Sequence, residues 1–351
     1  MQASVRYRYG TSEVLELAEI ERPAPCDDEI LVKVEAASAN LGDWEILTGK
    51  PLFITAMATL MGPKVRHPVV PSGSRDAARK SGGFFKPRYQ ILGCDVAGRV
   101  EAVGRKVTRF EPGDEIFGMC AFGAFAEYVC IPETATLVEK PGHLTFEQAA
   151  ALPQATYIAV QSIRDVGGVQ PGQKVLINGA GGGAGSLAVQ LAKLRGAVVT
   201  GVDNGKKLEW MRSIGADHVL DYTREDFTEQ GERYDLIVDL VAQRSIRACR
   251  RALEPEGTYL VAGGGMMATF KAMLLGLLPA KPGKQKIAFL MAQDKAEDLA
   301  FVSELVKAGK VQPLIDKVYP LSEVPEALRS MAEGEALGKV VIAMSSASRA
   351  G

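Results

Sequence analysis

The chain has 351 residues, 47% of them hydrophobic and 24% charged, which suits an ordinary globular protein of two domains. A formal net charge of −1 gives no global reason to expect nucleic acid or an anionic membrane as a partner. The opening residues MQASVRYRYG lack a signal-peptide core, and Cys26, Cys94, Cys120, Cys130 and Cys249 form no CxxC pair, so a reducing cytosol is expected rather than a disulfide framework or a zinc ribbon.

Short β-type runs come first, at residues 30–36, 96–103, 115–118, 124–129 and 135–138. Turn signals such as Pro23, Pro112-Gly113-Asp114 and Pro141-Gly142 separate them, which predicts a β-rich, partly barrel-like domain. Residues 63–88 interrupt this pattern with seven Lys/Arg against one acid, Asp76. Their Gly, Ser and Pro content reads as a solvated surface insertion, or as a lid that attracts an anionic substrate or cofactor phosphate. Residues 145–152 open on a capping-type threonine and predict a helix, and another begins near Thr156.

Residues 174–193, KVLINGAGGGAGSLAVQLAK, carry the strongest signal. The apolar run Val175-Leu176-Ile177 enters a glycine-dense turn, and Leu187, Leu191 and Leu194 then mark one helix face. Glycines let the backbone approach a pyrophosphate, and a helix N-terminus presents free N–H groups with a partial positive charge. The next strand, 197–202, ends in Asp203, placed about 20 residues downstream where a carboxylate can accept from ribose hydroxyls. Helix 206–214, strand 218–221, strand 234–241, helix 245–252 and strand 257–262 extend a β-α-β-α order, which predicts an α/β doubly wound parallel sheet with helices on both faces. Residues 259–280 are the most apolar region, interrupted by Lys271 and four glycines, and read as a strand followed by a buried loop or helix rather than a membrane span. Helix 294–308, strand 313–319, helix 322–333 and strand 339–343 close the chain.

Several separated motifs share one resemblance: Ala37-Ser38-Ala39-Asn40-Leu41-Gly42-Asp43-Trp44, LGCDVAGRVEAVG at 92–104, FEPGDEIFG at 110–118, GAFAEYV at 123–129, AALP at 150–153 and GADHVLDY at 215–222. With the glycine turn, they make the chain resemble the zinc-free quinone oxidoreductase-like branch of the medium-chain dehydrogenase/reductase superfamily. The resemblance implies a Rossmann domain (154–293) inserted in a split GroES-like catalytic domain (1–153 and 294–351), an active site in the cleft between them, and a homodimer. Zinc alcohol dehydrogenases of the superfamily place Cys, His and Cys where this chain has Asn40, Cys94 and Gln154. Asn and Gln are poor zinc ligands, so no metal is expected. Without zinc to stabilise an alkoxide, an electrophile that delocalises charge, a quinone or an α,β-unsaturated carbonyl, is the easier hydride partner.

The catalytic candidates are Asn40, as oxyanion or ribose partner, Asp43, acting through water or by orienting neighbours, and Gln154, facing the nicotinamide. Trp44 and Phe122 are expected to line the substrate pocket, and Tyr89 and Tyr157 are conceivable proton donors. In the family register Ala180, Gly182 and Gly185 form an A-x-G-x-x-G turn, with Gly181, Gly183, Ala184 and Gly263 completing the cofactor set. Asp203 should repel a 2′-phosphate and tilt the choice of NAD(P)(H) toward NAD(H), whereas Lys206, Lys207 and Tyr222 stand where NADPH-using relatives recognise that phosphate. The alternatives are a metal-free alcohol or aldehyde dehydrogenase and a dinucleotide-binding protein without turnover.

Overall fold

The computed structural model describes residues 1–49, 87, 89–264, 266–276 and 283–344. Apart from position 87, the basic insertion at 63–88 lies outside the described residues. The chain divides into two compact units, Met1–Gln154 with Ile315–Gly351, and Ala155–Leu314.

The first unit begins with strands β1 (Gln2–Arg6) and β2 (Leu15–Glu19), which pair antiparallel as a ribbon. Then come β3 (Glu29–Ser38), β4 (Asp95–Val103), β5 (Glu115–Met119), β6 (Tyr128–Pro132) and β7 (Leu137–Glu139). Strand β3 is the hub, pairing with both β4 and β6. The sequence EILVKVEAAS suits this role: Ile30, Val32 and Val34 point into the core on the strand's period of two. Helix Leu41–Thr48 follows β3 directly and ends at Gly49 in the left-handed region, φ 67°. Its last carbonyls, Ile46 O and Leu47 O, accept from the buried Arg6 guanidinium at 2.5 and 3.0 Å, and Arg6 Nε donates to Tyr89 O at 3.0 Å. That places a cation at the negative end of the helix dipole and ties the helix to β1.

The second unit holds six parallel strands: β8 (Lys174–Asn178), β9 (Val198–Asp203), β10 (His218–Asp221), β11 (Tyr234–Asp239), β12 (Leu253–Val261) and β13 (Lys286–Phe289). Their order is β10-β9-β8-β11-β12-β13. The chain therefore winds outward from β8, then returns to β11 on its other side, leaving a topological switch point between β8 and β11. Leu176, Ile177, Ile237, Val238 and Leu260 are fully buried, as strands covered on both faces require, each stabilising the sheet by about 1.5–3 kcal/mol.

The chain then returns to the first unit as β14 (Ile315–Pro320) and β15 (Lys339–Ala343), completing a seven-stranded sheet in which β15 pairs antiparallel with β3. The return falls at Ile315, later than the expected 294. Helix Ala296–Lys307 belongs to the second unit because Asp298 on it, fully buried, accepts from Gln161 Nε2 at 2.9 Å and Arg164 at 2.7 Å. A second correction concerns the apolar stretch 259–280. Its helix, Met266–Gly276, is not buried: Ala272 is covered, but Phe270, Met273, Leu274 and Leu275 are exposed.

Candidate active and cofactor sites

The glycine turn stands at the C-terminal end of β8, beside the switch point. Gly179 has φ 89°, and the backbone reaches helix Gly183–Leu194 through Gly182, its N-cap. The N–H groups of Gly183, Ala184 and Gly185 have no partner one turn earlier in the helix and are the ones available to an anion. The three register positions do different work. A Cβ on Gly185 would stand 2.0 Å from Gly179 O, so this glycine is required for the helix to pack on the turn. Among the described residues a Cβ on Gly182 would meet only Gly179 O, at 3.6 Å, which leaves room for a ligand above it. Ala180 is fully buried beneath.

Asp203 ends β9 and is itself nearly buried. Its Oδ2 accepts from Gly181 N at 2.9 Å, its Oδ1 accepts from Asn204 N at 2.9 Å, and Lys207 Nζ lies 3.4 Å from Oδ1. The carboxylate thus holds the glycine turn in shape, and Lys207, 4% exposed, partly neutralises it. Tyr222 donates its backbone N–H to Asp203 O at 3.1 Å and leaves its ring half exposed. Gly263 follows β12, and a Cβ there would come within 2.5 Å of Leu240 O. The second wall of the switch point was not foreseen. Asp239, at the end of β11, accepts from Asn178 Nδ2 at 2.7 Å, Tyr259 Oη at 2.8 Å and Ala242 N at 2.7 Å. Ala242 takes φ 52°, a strained conformation for a residue with a side chain. The forewarning in the sequence was an acid, Asp239, directly after the apolar run Leu236-Ile237-Val238.

In the first unit a buried polar cluster forms where β3 enters helix Leu41–Thr48. Asp43 Oδ2 accepts from Asn40 N and Oδ1 from Gly93 N, both at 2.9 Å, and Cys94 Sγ lies 3.8 Å from Oδ1. Burial pushes the Asp43 carboxyl up to about 7, against the pull of those two N–H donors. Asp95 Oδ2 accepts from Ser38 Oγ at 2.8 Å, Asn40 Nδ2 at 3.0 Å and Lys339 Nζ at 3.0 Å. Its Oδ1 accepts from Gln154 N at 3.1 Å. Lys339 Nζ also donates to Asn40 Oδ1 at 2.5 Å and Ala39 O at 3.3 Å. Asn40, Asp43 and Gln154 are therefore brought together, but through Asp95 and Lys339, which sequence reasoning missed. Both faces of the Asn40 amide are engaged, so it acts as a hinge-pin of the cluster rather than a free donor.

Trp44 and Phe122 both pack half-buried against the first unit's core, and the Phe122 ring lies 4.2 Å from that of Tyr89. Tyr89 and Tyr157 are 2% and 1% exposed, which keeps both rings inside their cores. A cavity of about 310 Å³ in the second unit lies at the far end of helix Gly183–Leu194, against Leu191, Leu194 and Phe301, and contains none of the predicted residues. Among the described residues no group of three or more His, Cys, Asp or Glu is arranged to hold a metal ion.

Two family descriptions match: an alcohol dehydrogenase GroES-like domain over residues 26–142 and a zinc-binding dehydrogenase over residues 214–342. The chain is 30% identical to the chloroplast envelope quinone oxidoreductase homolog of Arabidopsis thaliana, covering 95% of each. It is 30% identical to a 2-methylene-furan-3-one reductase of Solanum lycopersicum, over 95% of this chain and 76% of that one. Among solved structures, a quinone oxidoreductase from Coxiella burnetii superposes with a TM-score of 0.81 at 26% identity, covering 98% of this chain and 99% of that one. A GroES-like unit joined to a Rossmann unit with this glycine turn defines a medium-chain dehydrogenase/reductase, and the chain belongs to the quinone oxidoreductase-like members of that superfamily. It is an oxidoreductase, and the family implies an NAD(P)(H) cofactor.

The open space over Gly182 and the free first-turn N–H groups fit a dinucleotide pyrophosphate. Of positions 40, 94 and 154, only Cys94 offers a good zinc ligand. The zinc-binding description matches residues 214–342, which include none of positions 40, 94 and 154. At those positions Asn40 Oδ1 already receives the Lys339 ammonium, and the Cys94 Sγ faces Ala121 O at 3.2 Å.

Proposed function

We propose that the protein is a zinc-independent reductase of quinones or α,β-unsaturated carbonyls. The observation that carries this reading is the Asn40–Lys339–Asp95 cluster, a cation-centred network at the position where metal-dependent relatives use ligands. When bound, the reduced nicotinamide supplies a hydride. The chain's own task is then to bind, orient and exclude water, which suffices for an acceptor whose carbonyl already draws charge from the attacked carbon.

In this reading Gly182 and the first turn of its helix bind the pyrophosphate, Gly263 and Tyr222 border the dinucleotide, and Asp203 shapes the turn. NADH is the preferred donor because Asp203 disfavours a 2′-phosphate, by a margin that the Lys207 ammonium reduces. Asp95 and Lys339 position Asn40 and the backbone of Gln154, Asp43 positions the Gly93–Cys94 backbone, and Trp44 and Phe122 wall the acceptor. Solvent returns the proton to the enolate or quinol oxygen. The resemblance also carries a homodimer, and five cysteines outside any disulfide suit a reducing compartment such as the cytosol. No helix among the described residues is long and apolar enough to cross a membrane.

The test is nicotinamide oxidation with NADH and NADPH against a panel of quinones and enones, with and without EDTA. Turnover that survives the chelator and favours NADH is expected. Chelator-sensitive turnover would overturn the zinc-independent chemistry, and cofactor binding without turnover on any acceptor would leave a binding protein. Alcohol-dependent reduction of NAD(P)+ in EDTA would instead point to a metal-free dehydrogenase.

A further inference from the structure

The cavity at the far end of helix Gly183–Leu194 holds none of the residues placed in the dinucleotide site or the polar cluster. The glycine turn opens the other end of that 12-residue helix, about 18 Å away at ~1.5 Å per residue. At about 310 Å³ the cavity is at the lower end of the ~300–1,000 Å³ usual for small-molecule sites.

Its walls all come from the second unit. Helix Gly183–Leu194 gives Leu191 and Leu194, helix Ala296–Lys307 gives Phe301 and Leu305, and the turn Gln161–Val166 gives Ile163 and Arg164. The segment that carries Lys310 is tied to the first of these helices, because Gln190 Nε2 donates to Gln312 O at 3.1 Å and its Oε1 accepts from Gln312 N at 2.9 Å. The Gln161–Val166 turn is a π-helix: Gly167 N donates to Ser162 O, five residues back, at 2.9 Å. Single π turns are rare and frequently mark functional sites.

The charge of the lining has one sign. Arg164, Arg195 and Lys310 stand among the apolar side chains, and among the described residues no carboxylate lines the cavity. Asp165 and Asp298 are both engaged by Arg164, which donates from Nε to Asp165 Oδ1 at 2.5 Å and from Nη2 to Asp298 Oδ1 at 2.7 Å. Among the described residues neither Arg195 nor Lys310 forms an ion pair, and Arg195 Nη1 makes a long contact to Val169 O at 3.4 Å. Helix Gly183–Leu194 turns its negative end this way, but its last carbonyls are already met. Leu191 O and Ala192 O accept from Arg195 N at 3.2 and 3.1 Å, and Lys193 O accepts from Gly196 N at 2.9 Å.

We propose that this cavity binds a small amphipathic carboxylate, its apolar tail against Leu191, Leu194 and Phe301 and its head at Arg195 and Lys310. A neutral apolar molecule would leave those two cations without a counter-charge, and a bare anion would leave the apolar walls uncovered. The proposal does not depend on which acceptor the enzyme reduces.

The test is calorimetric titration of the full chain with octanoate, octanol and acetate, with and without saturating NADH or NADPH. Octanoate should bind at least tenfold tighter than octanol, which lacks the charge, and than acetate, which lacks the tail. Its affinity should be the same with cofactor bound. Arg195→Glu with Lys310→Glu should weaken octanoate at least tenfold, and Leu194→Asp, at an exposed position, should do the same. Both variants should bind the cofactor as the unmodified protein does, which reports that they fold. Octanoate that binds no tighter than octanol, competes with the cofactor, or is indifferent to both variants would overturn the proposal, as would no binding at all.

Discussion

In the second unit the glycine turn is held by its own neighbourhood: Gly181 N reaches Asp203, 22 residues on, and Lys207 pairs with that acid four residues later. In the first unit the cluster around Asp95 joins residues from three distant places. Ser38 and Asn40 come from the end of β3 and the start of the following helix, Asp95 opens β4, and Lys339, 299 residues beyond Asn40, opens β15. Both regions bury an Asp–Lys pair, Asp203–Lys207 and Asp95–Lys339, yet only the local one was visible as a motif. The distant one is the more committed structurally, because Asp95 is fully buried and serves four donors from different elements.

The largest effect should come from breaking the distant pair. Lys339→Met leaves the Asp95 carboxylate buried without its cation and frees Asn40 Oδ1, which should cost about 3–5 kcal/mol in urea unfolding. If the cluster is instead a rim ornament, the midpoint will barely move. A double variant, Lys339→Met with Asp95→Leu, should recover much of the loss by removing both charges.

Next in size is Asp43→Ala, which strands the buried N–H groups of Asn40 and Gly93, at about 1–3 kcal/mol each. Its signature is the pH dependence. Because burial raises Asp43 to about 7, the folded protein binds a proton there that the unfolded chain has released above about pH 4. The stabilising contribution of Asp43 is thus greatest at acid pH and declines as pH rises through about 7. Unfolding titrations of wild type and variant should show their stability difference narrowing over that window. A difference that widens instead would mean the two N–H donors outweigh burial and keep Asp43 ionised.

The smallest effect sharpens the comparison from the local side. Gly182→Val should keep its stability, since among the described residues its Cβ would meet only Gly179 O, at an ordinary contact distance of 3.6 Å, while cofactor affinity falls at least tenfold, about 1.4 kcal/mol. Gly185→Val should fail first in stability, because its Cβ would collide with Gly179 O. Calorimetric titration with NADH alongside thermal melts separates the two roles. Equal loss of stability in both variants would make Gly182 a packing glycine.

Much of the fold was legible from residue order. The alternation of apolar β-type runs with helical periodicity announced the parallel sheet, and the glycines of 179–185 announced the tight turn between β8 and its helix. The role given to Asp203 was less well read. A carboxylate one strand away from a glycine turn looked like a ribose acceptor, but at 2.9 Å from Gly181 N it is also a brace for the turn. The stretch 259–280 misled in another way: its apolar content suggested burial, whereas helix Met266–Gly276 covers little beyond Ala272 on its described face. Whole-chain charge likewise concealed a local imbalance, because acids elsewhere cancel the lysines between Glu256 and Asp294.

What the sequence by itself determined is whatever short-range physics encodes: the strand and helix periods, the glycines a tight turn requires, and donor types at positions 40 and 154 that suit a metal poorly. The tertiary structure alone decided that β15 lies beside β3, and with it that Lys339 meets Asp95 and Asn40. It also decided that the loops after β8 and β11 face each other across a switch point, with Asp239 and the strained Ala242 on one side and Gly182 on the other. No local pattern announces such pairings. A buried lysine and a buried aspartate are each costly alone and acceptable only together, and which two meet depends on strand pairing across hundreds of residues rather than on the chemistry of either neighbourhood.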